Sequence, residues 1–243
     1  RAEFGGAGEN GRPRRLERGP PFVTKKLPGF IAIEGPIGVG KTSLATKLAA
    51  SLECDLVLER AEENPFLERF YRDPVNAALP TQLYFLFQRA RQIQEMRQSD
   101  LFAPVRVSDF LLEKDRLFAQ LTLSDDEFWL YEQVYKHMSI DAPVPDLVVY
   151  LQAPVDVLVE RVQRRGIDYE KKIRPEYLGQ LSDAYMQFFY RYDRSPLLIV
   201  NAESIDPINN PQDYQLLLDR IMNAGAGRQF FNPVPFRGAD PRH

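Results

Sequence analysis

A chain of 243 residues, 44% of them hydrophobic and 12% aromatic, can fill the core of one α/β domain better than those of two small ones. Its formal net charge of −3 excludes a protein that coats nucleic acid or an anionic membrane through overall charge, so any phosphate binding must be local. A single cysteine, Cys54, rules out an intramolecular disulfide, and with only two histidines, His137 and His243, a Cys/His zinc cluster is hardly possible.

In chain order, residues 1–28 are rich in Arg, Gly and Pro and poor in large apolar side chains. Such a composition buries too little surface to offset its ordering entropy, and a flexible tail or linker is expected. No apolar h-region and no membrane-length apolar run is visible, which gives the expectation of a cytoplasmic protein with no membrane partner. From Phe30 onward, short apolar runs at 30–34, 55–58, 105–107, 147–151 and 197–200 read as buried parallel strands. Helical stretches separate them, the longest at 79–96 and 175–192. The expected architecture is therefore α/β, a five-stranded parallel sheet flanked by helices on both faces, occupying residues 29–224. Residues 225–243, again rich in Gly, Pro and Arg, are expected to be a C-terminal extension trailing across the surface.

The strongest local signal is Gly35, Pro36, Ile37, Gly38, Val39, Gly40, Lys41 and Thr42, a full GxxxxGK[ST] match between the first strand and a helical run at 43–50. Glycines let backbone N–H groups curl around a phosphate, and the helix that begins near Ser43 adds its dipole. Lys41 supplies a mobile cation and Thr42 a hydroxyl for Mg²⁺, so ATP and Mg²⁺ are the implied cofactors. The loop does not choose the acceptor, because motors, GTPases and small-molecule kinases share it.

Further segments make that choice. Glu59 precedes Asn64, Pro65, Phe66 and Leu67; Phe70 and Tyr71 follow; Gln82 and Arg89 lie on one helical stretch; Asp109 is followed by Glu113, Asp115 and Ala119. With the phosphate loop, these residues resemble the deoxynucleoside kinase family, and within it the bacterial deoxyadenosine and deoxyguanosine kinase branch, from about residue 30 to about residue 221. The resemblance implies a P-loop kinase fold with an arginine-rich lid, and phosphorylation of the 5′-hydroxyl of a deoxynucleoside, a purine deoxynucleoside favoured. It makes Glu59 the general base, since an alcohol attacks poorly until its proton has an acceptor. Gln82 and Arg89, seven positions apart, share a helix face and can reach one pocket; in the family the matching positions, with Asp115, hold the nucleobase. Tyr71 and Glu170 match residues at the sugar 3′-hydroxyl, and Phe66 is a candidate to stack on the base. Arg161 and Arg165 match lid cations that close over the phosphates, and Asp109 would hold Mg²⁺ through water.

Two departures stand out. The family shows Asp-Arg-Ser or Glu-Arg-Ser after the third strand, but Asp109 is followed by Phe110 and Leu111, so an arginine for the 5′ region is absent; Arg60 is the expected replacement. Ile167 stands where another lid arginine is usual. Trp129 and His137 suggest no role. Two other classes stay open at this point: a thymidylate-like nucleoside monophosphate kinase, and a catalytically silent ATP-binding regulatory module. A homodimer with no nucleic-acid partner is expected by the resemblance and the charge.

Overall fold

The structure is a computed structural model and describes residues 28–99, 105–138 and 140–233. The expected tail, apart from Pro28, lies outside the described residues, as do His243 and the last ten positions of the extension. The elements in order are β1 (Phe30–Glu34), α1 (Lys41–Leu52), β2 (Asp55–Val57), α2 (Leu67–Arg72), α3 (Pro74–Ser99), β3 (Arg106–Ser108), α4 (Lys114–Thr122), α5 (Asp125–Met138), β4 (Leu147–Gln152), α6 (Val155–Arg165), α7 (Pro175–Arg191), β5 (Leu197–Asn201), α8 (Pro211–Met222) and β6 (Arg228–Phe231).

All strand pairs are parallel, in the order β2-β3-β1-β4-β5-β6. Strand order reverses beside β1, and the crevice at the carboxyl ends of β1 and β3 is where an open α/β sheet binds ligands. Helices cover both faces. On one, Leu44 and Leu48 of α1 and Leu217 of α8 pack on Ile31, Ile33 and Val149; on the other, Leu181, Tyr185 and Phe189 of α7 pack on Ala32, Val148 and Tyr150. Full burial of an aliphatic or aromatic side chain of this size contributes about 1.5–3 kcal/mol.

The sheet has six strands, one more than expected. Residues 228–231 add β6 to the edge of β5, with Leu197 paired to Arg228 and Val200 to Phe231. This part of the extension is therefore sheet, not a surface trail: after the glycine turn its backbone finds the free hydrogen-bonding edge of β5. The long helix also begins earlier than the expected 79, at Pro74, and runs through Pro80. Asn76, whose carbonyl would pair with the missing N–H, is exposed to water, while the Thr81 hydroxyl donates to Ala77 O at 2.7 Å. No helix among the described residues is long and apolar enough to cross a membrane.

Candidate active site

The glycine-rich loop follows β1 and opens α1 in the predicted order. A Cβ at Gly35 would stand 2.4 Å from Leu151 O, so a side chain there would drive the loop off β4. Gly40 has φ +101° with open space where a side chain would be, and it caps α1 in a left-handed conformation. Lys41 folds back into the cradle, donating to Gly35 O at 2.8 Å and Pro36 O at 3.2 Å. Burial, followed by the field of the Lys114 ammonium, brings its pKa down to about 8. A cation held in this way gains from an arriving polyphosphate, which restores favourable charge around it. The loop therefore fits the triphosphate of ATP.

Thr42 Oγ1 donates to Asp109 Oδ2 at 2.5 Å. The other oxygen, Asp109 Oδ1, accepts the backbone N–H of Glu59 at 2.7 Å, so the acid that follows β3 holds together the segments after β1 and β2. A hydroxyl and a carboxylate beside a phosphate cradle form a hard, all-oxygen donor set that fits Mg²⁺.

The side chain of Glu59 lies between two cations. Arg89 from α3 pairs with Oε1, and Lys114 from the first turn of α4 donates to Oε2 at 2.6 Å. Burial alone would raise the carboxyl pKa, but the Arg89 guanidinium and Lys114 ammonium overcome it and hold the group at about 2. It is therefore ionised throughout the neutral range, with both oxygens already oriented.

Arg89 also pairs with Asp115 through its other terminal nitrogen; their side chains are only 4% and 2% exposed. Arg89 Nε and Asp115 Oδ2 are buried without a protein hydrogen-bond partner. Buried polar atoms are rarely left in this state, and a polar ligand would complete them. Gln82, on the same helix, donates through Nε2 to Thr122 Oγ1 at 3.2 Å. Phe66 makes an edge contact with Tyr84 of α3, ring centroids 6.4 Å apart.

Tyr71 stacks on Tyr169, 6.1 Å between centroids; burial, then the nearby Tyr177 and Glu170, raise its phenol pKa far above the usual value. Tyr71 and Glu170 are thus neighbours, as expected. The arginines lie within the last turns of α6 rather than in a turn beyond it. Arg161 reaches the phosphate loop, donating to Ala202 O at 2.8 Å and Val39 O at 3.4 Å, whereas Arg165 pairs with Glu170.

The expected role of Arg60 is overturned. Its side chain is 63% exposed and pairs with Glu63 at 3.3 Å, because the one-turn 3₁₀ helix that begins at Ala61 directs it to solvent. Sequence reasoning missed two residues at the centre. Lys114 is 3% exposed and reads in sequence as one more charge in a run of charges. Glu34, fully buried, accepts from Gly35 N at 3.0 Å, Leu111 N at 2.7 Å and Tyr185 Oη at 3.0 Å. A glutamate ending an apolar strand just before a phosphate loop was the available signal for the second; for Lys114 there was none.

The family model described as deoxynucleoside kinase matches residues 31–224. The chain belongs to the deoxynucleoside kinase family. This kinase is 34% identical over 200 residues to a deoxyguanosine kinase of Bacillus subtilis, covering 79% of this chain and 95% of that protein. It is 32% identical over 191 residues to a deoxyadenosine kinase of Dictyostelium discoideum, covering 75% and 77%. A solved structure of deoxyadenosine kinase from M. mycoides superposes with a TM-score of 0.70 over 79% of this chain and 98% of that one, at 24% identity, which is a likeness of fold. As a member of the deoxynucleoside kinase family, the chain is an enzyme with a hydroxyl acceptor.

Proposed function

We propose that this kinase moves the γ-phosphoryl group of ATP to the 5′-hydroxyl of a purine deoxynucleoside, with Glu59 as general base. The observation that carries the reading is the Glu59 carboxylate, ionised between Arg89 and Lys114 and fixed through its backbone to Asp109 beside the phosphate cradle. Residues 35–43 hold the triphosphate, with Lys41 paired to its oxygens. Thr42 and Asp109 hold Mg²⁺, which neutralises phosphate charge as the reaction proceeds. Gln82, Arg89 and Asp115 take the base edge, supported by the unpartnered atoms of Arg89 and Asp115. Tyr71 and Glu170 take the 3′-hydroxyl, and Phe66 closes on the base. Arg161 steadies the phosphate loop, and Arg165 turns from Glu170 toward the phosphates when the lid closes.

The purine preference rests on the names of the relatives, deoxyguanosine and deoxyadenosine kinases. The kinase unit spans residues 29–231, because β6 belongs to the same sheet, and acts in the cytoplasm as a homodimer. The dimer reading is supported by Phe87 on α3 and by Trp129 and Leu130 on the adjoining α5, which are 52%, 64% and 44% exposed. The test is a radiolabelled ATP assay against the four deoxynucleosides and their monophosphates. Transfer to deoxyguanosine or deoxyadenosine above the pyrimidines is expected; transfer only to monophosphates would overturn the proposal. Sedimentation at micromolar concentration checks the dimer.

A further inference from the structure

With Lys41 in the cradle and Arg89 shared between Glu59 and Asp115, Arg60, Arg161 and Lys114 are the candidates for the place of the arginine that Phe110 displaces. Arg60 faces solvent beside Glu63. Arg161 is occupied by two backbone carbonyls. Lys114 remains, and it reaches the site from a different point on the backbone. The chain after Asp109 turns sharply, with Leu111 N–H held by Glu34 and Asp115 N–H by Leu112 O at 3.0 Å. This turn brings the first residue of α4 back toward the carboxyl end of β1, and its ammonium stops 2.6 Å from Glu59 Oε2 and 3.5 Å from Glu34 Oε1.

Neither carboxylate needs Lys114 to be satisfied. Glu34 already accepts from two backbone amides and from Tyr185, and Glu59 has Arg89. A buried ammonium with three donors is expensive to desolvate, yet its contacts here leave donor capacity unused.

We propose that the Lys114 ammonium contacts the transferring phosphoryl group and the incoming 5′-oxygen, performing from the first turn of α4 the task of the arginine missing at Phe110. The inference rests on the kinase reading above. In the step, the 5′-hydroxyl proton passes to Glu59 and the oxygen forms a bond to the γ-phosphorus. The bond from that phosphorus to the β,γ-bridging oxygen breaks, and its electron pair leaves with ADP. Lys114 stays protonated throughout and gives up neither proton nor electron. Its contribution is positive charge at the oxygens where negative charge grows.

The test compares wild-type protein, Lys114→Gln, Lys114→Arg and the double variant F110R/K114Q in steady-state phosphorylation of the best deoxynucleoside. Thermal melting and calorimetric ATP binding accompany each. For Lys114→Gln, kcat is expected to fall about 10²- to 10³-fold, with KM for the deoxynucleoside within about threefold. Lys114→Arg is expected to keep more than about a tenth of kcat, and the double variant to regain at least about tenfold over Lys114→Gln. A Lys114→Gln enzyme within about threefold of wild type overturns the proposal, as does a loss that follows the melting temperature and is recovered by neither arginine. If Lys114→Gln does not fold, Lys114→Arg decides, above a tenth in favour and below it against. A wild-type protein inactive on every deoxynucleoside is a different result, and it removes the kinase reading together with this one.

Discussion

Thr42 Oγ1 and Asp109 Oδ2 are 2.5 Å apart although 67 positions separate them in the chain. The contact exists because β1 and β3 are adjacent and parallel, with Ala32 opposite Ser108, so Asp109, just past β3, stands beside the carboxyl end of β1 from which the phosphate loop leaves. Asp109→Asn keeps the shape and removes the one negative charge of the pair. The expected outcome is a Mg²⁺ activation curve displaced to higher concentration by tenfold or more, measured as turnover against free Mg²⁺, with the melting temperature changed little.

Glu59 has no substitute as proton acceptor in the proposed step. Glu59→Gln is expected to lower kcat by about 10²- to 10⁴-fold while calorimetric ATP binding persists, because the cradle is built from a different part of the chain. Loss of ATP binding together with turnover would show that Glu59 acts on the fold of the loop.

The same residue makes stability depend on acid. With its pKa held at about 2 instead of the ordinary 4.5, Glu59 stabilises the fold fully above pH 4.5, and that contribution is lost as pH falls through the window toward 2. Thermal melts across this window should show the difference between wild type and Glu59→Gln shrinking steadily with acidification. A constant difference would mean that the two cations do not hold the carboxylate ionised.

Lys41, with its pKa lowered to about 8, is about half neutral at pH 8 in the empty site. Polyphosphate beside it favours the ammonium, so ATP binding at pH 8 should take up about half a proton, and less at pH 7, where the group is already charged. Calorimetry in Tris and in HEPES measures this uptake through their different ionisation heats. In Lys41→Met the uptake should vanish along with most of the affinity.

Arg89 serves two carboxylates at once, Glu59 and Asp115. Arg89→Met is expected to destabilise the fold by about 3–5 kcal/mol, the usual cost of leaving a buried charge unpaired, measured by urea unfolding. Arg89→Met with Asp115→Leu should recover part of the stability without restoring deoxynucleoside affinity.

The phosphate loop was legible because its chemistry is local: eight consecutive residues, each read from what its neighbours require. Gln82 and Arg89 were picked out by the family resemblance together with helical period, which places seven-apart residues on one face whatever the helix packs against. Lys114 was not, since its meaning lies in a carboxylate 55 positions away, and a lysine amid charges looks solvated until the turn after Asp109 is seen to bury it. Arg60 misled for the converse reason, standing next to Glu59 in sequence while a one-turn helix sends its side chain outward. The sixth strand escaped notice because Arg228–Phe231 alternates exposed and half-buried positions and becomes a strand only when β5 offers an open edge.

From residue order came the cradle, the alternation of strand and helix, and the family of the catalyst, since each depends on chemistry within a few residues or on short repeating patterns. Tertiary structure decided which cations stand beside Glu59, which arginine reaches the phosphate loop and which pairs with Glu170, and how far the sheet extends. Those outcomes depend on long-range backbone pairing and on the price of burying charge, and neither can be computed from neighbours along the chain.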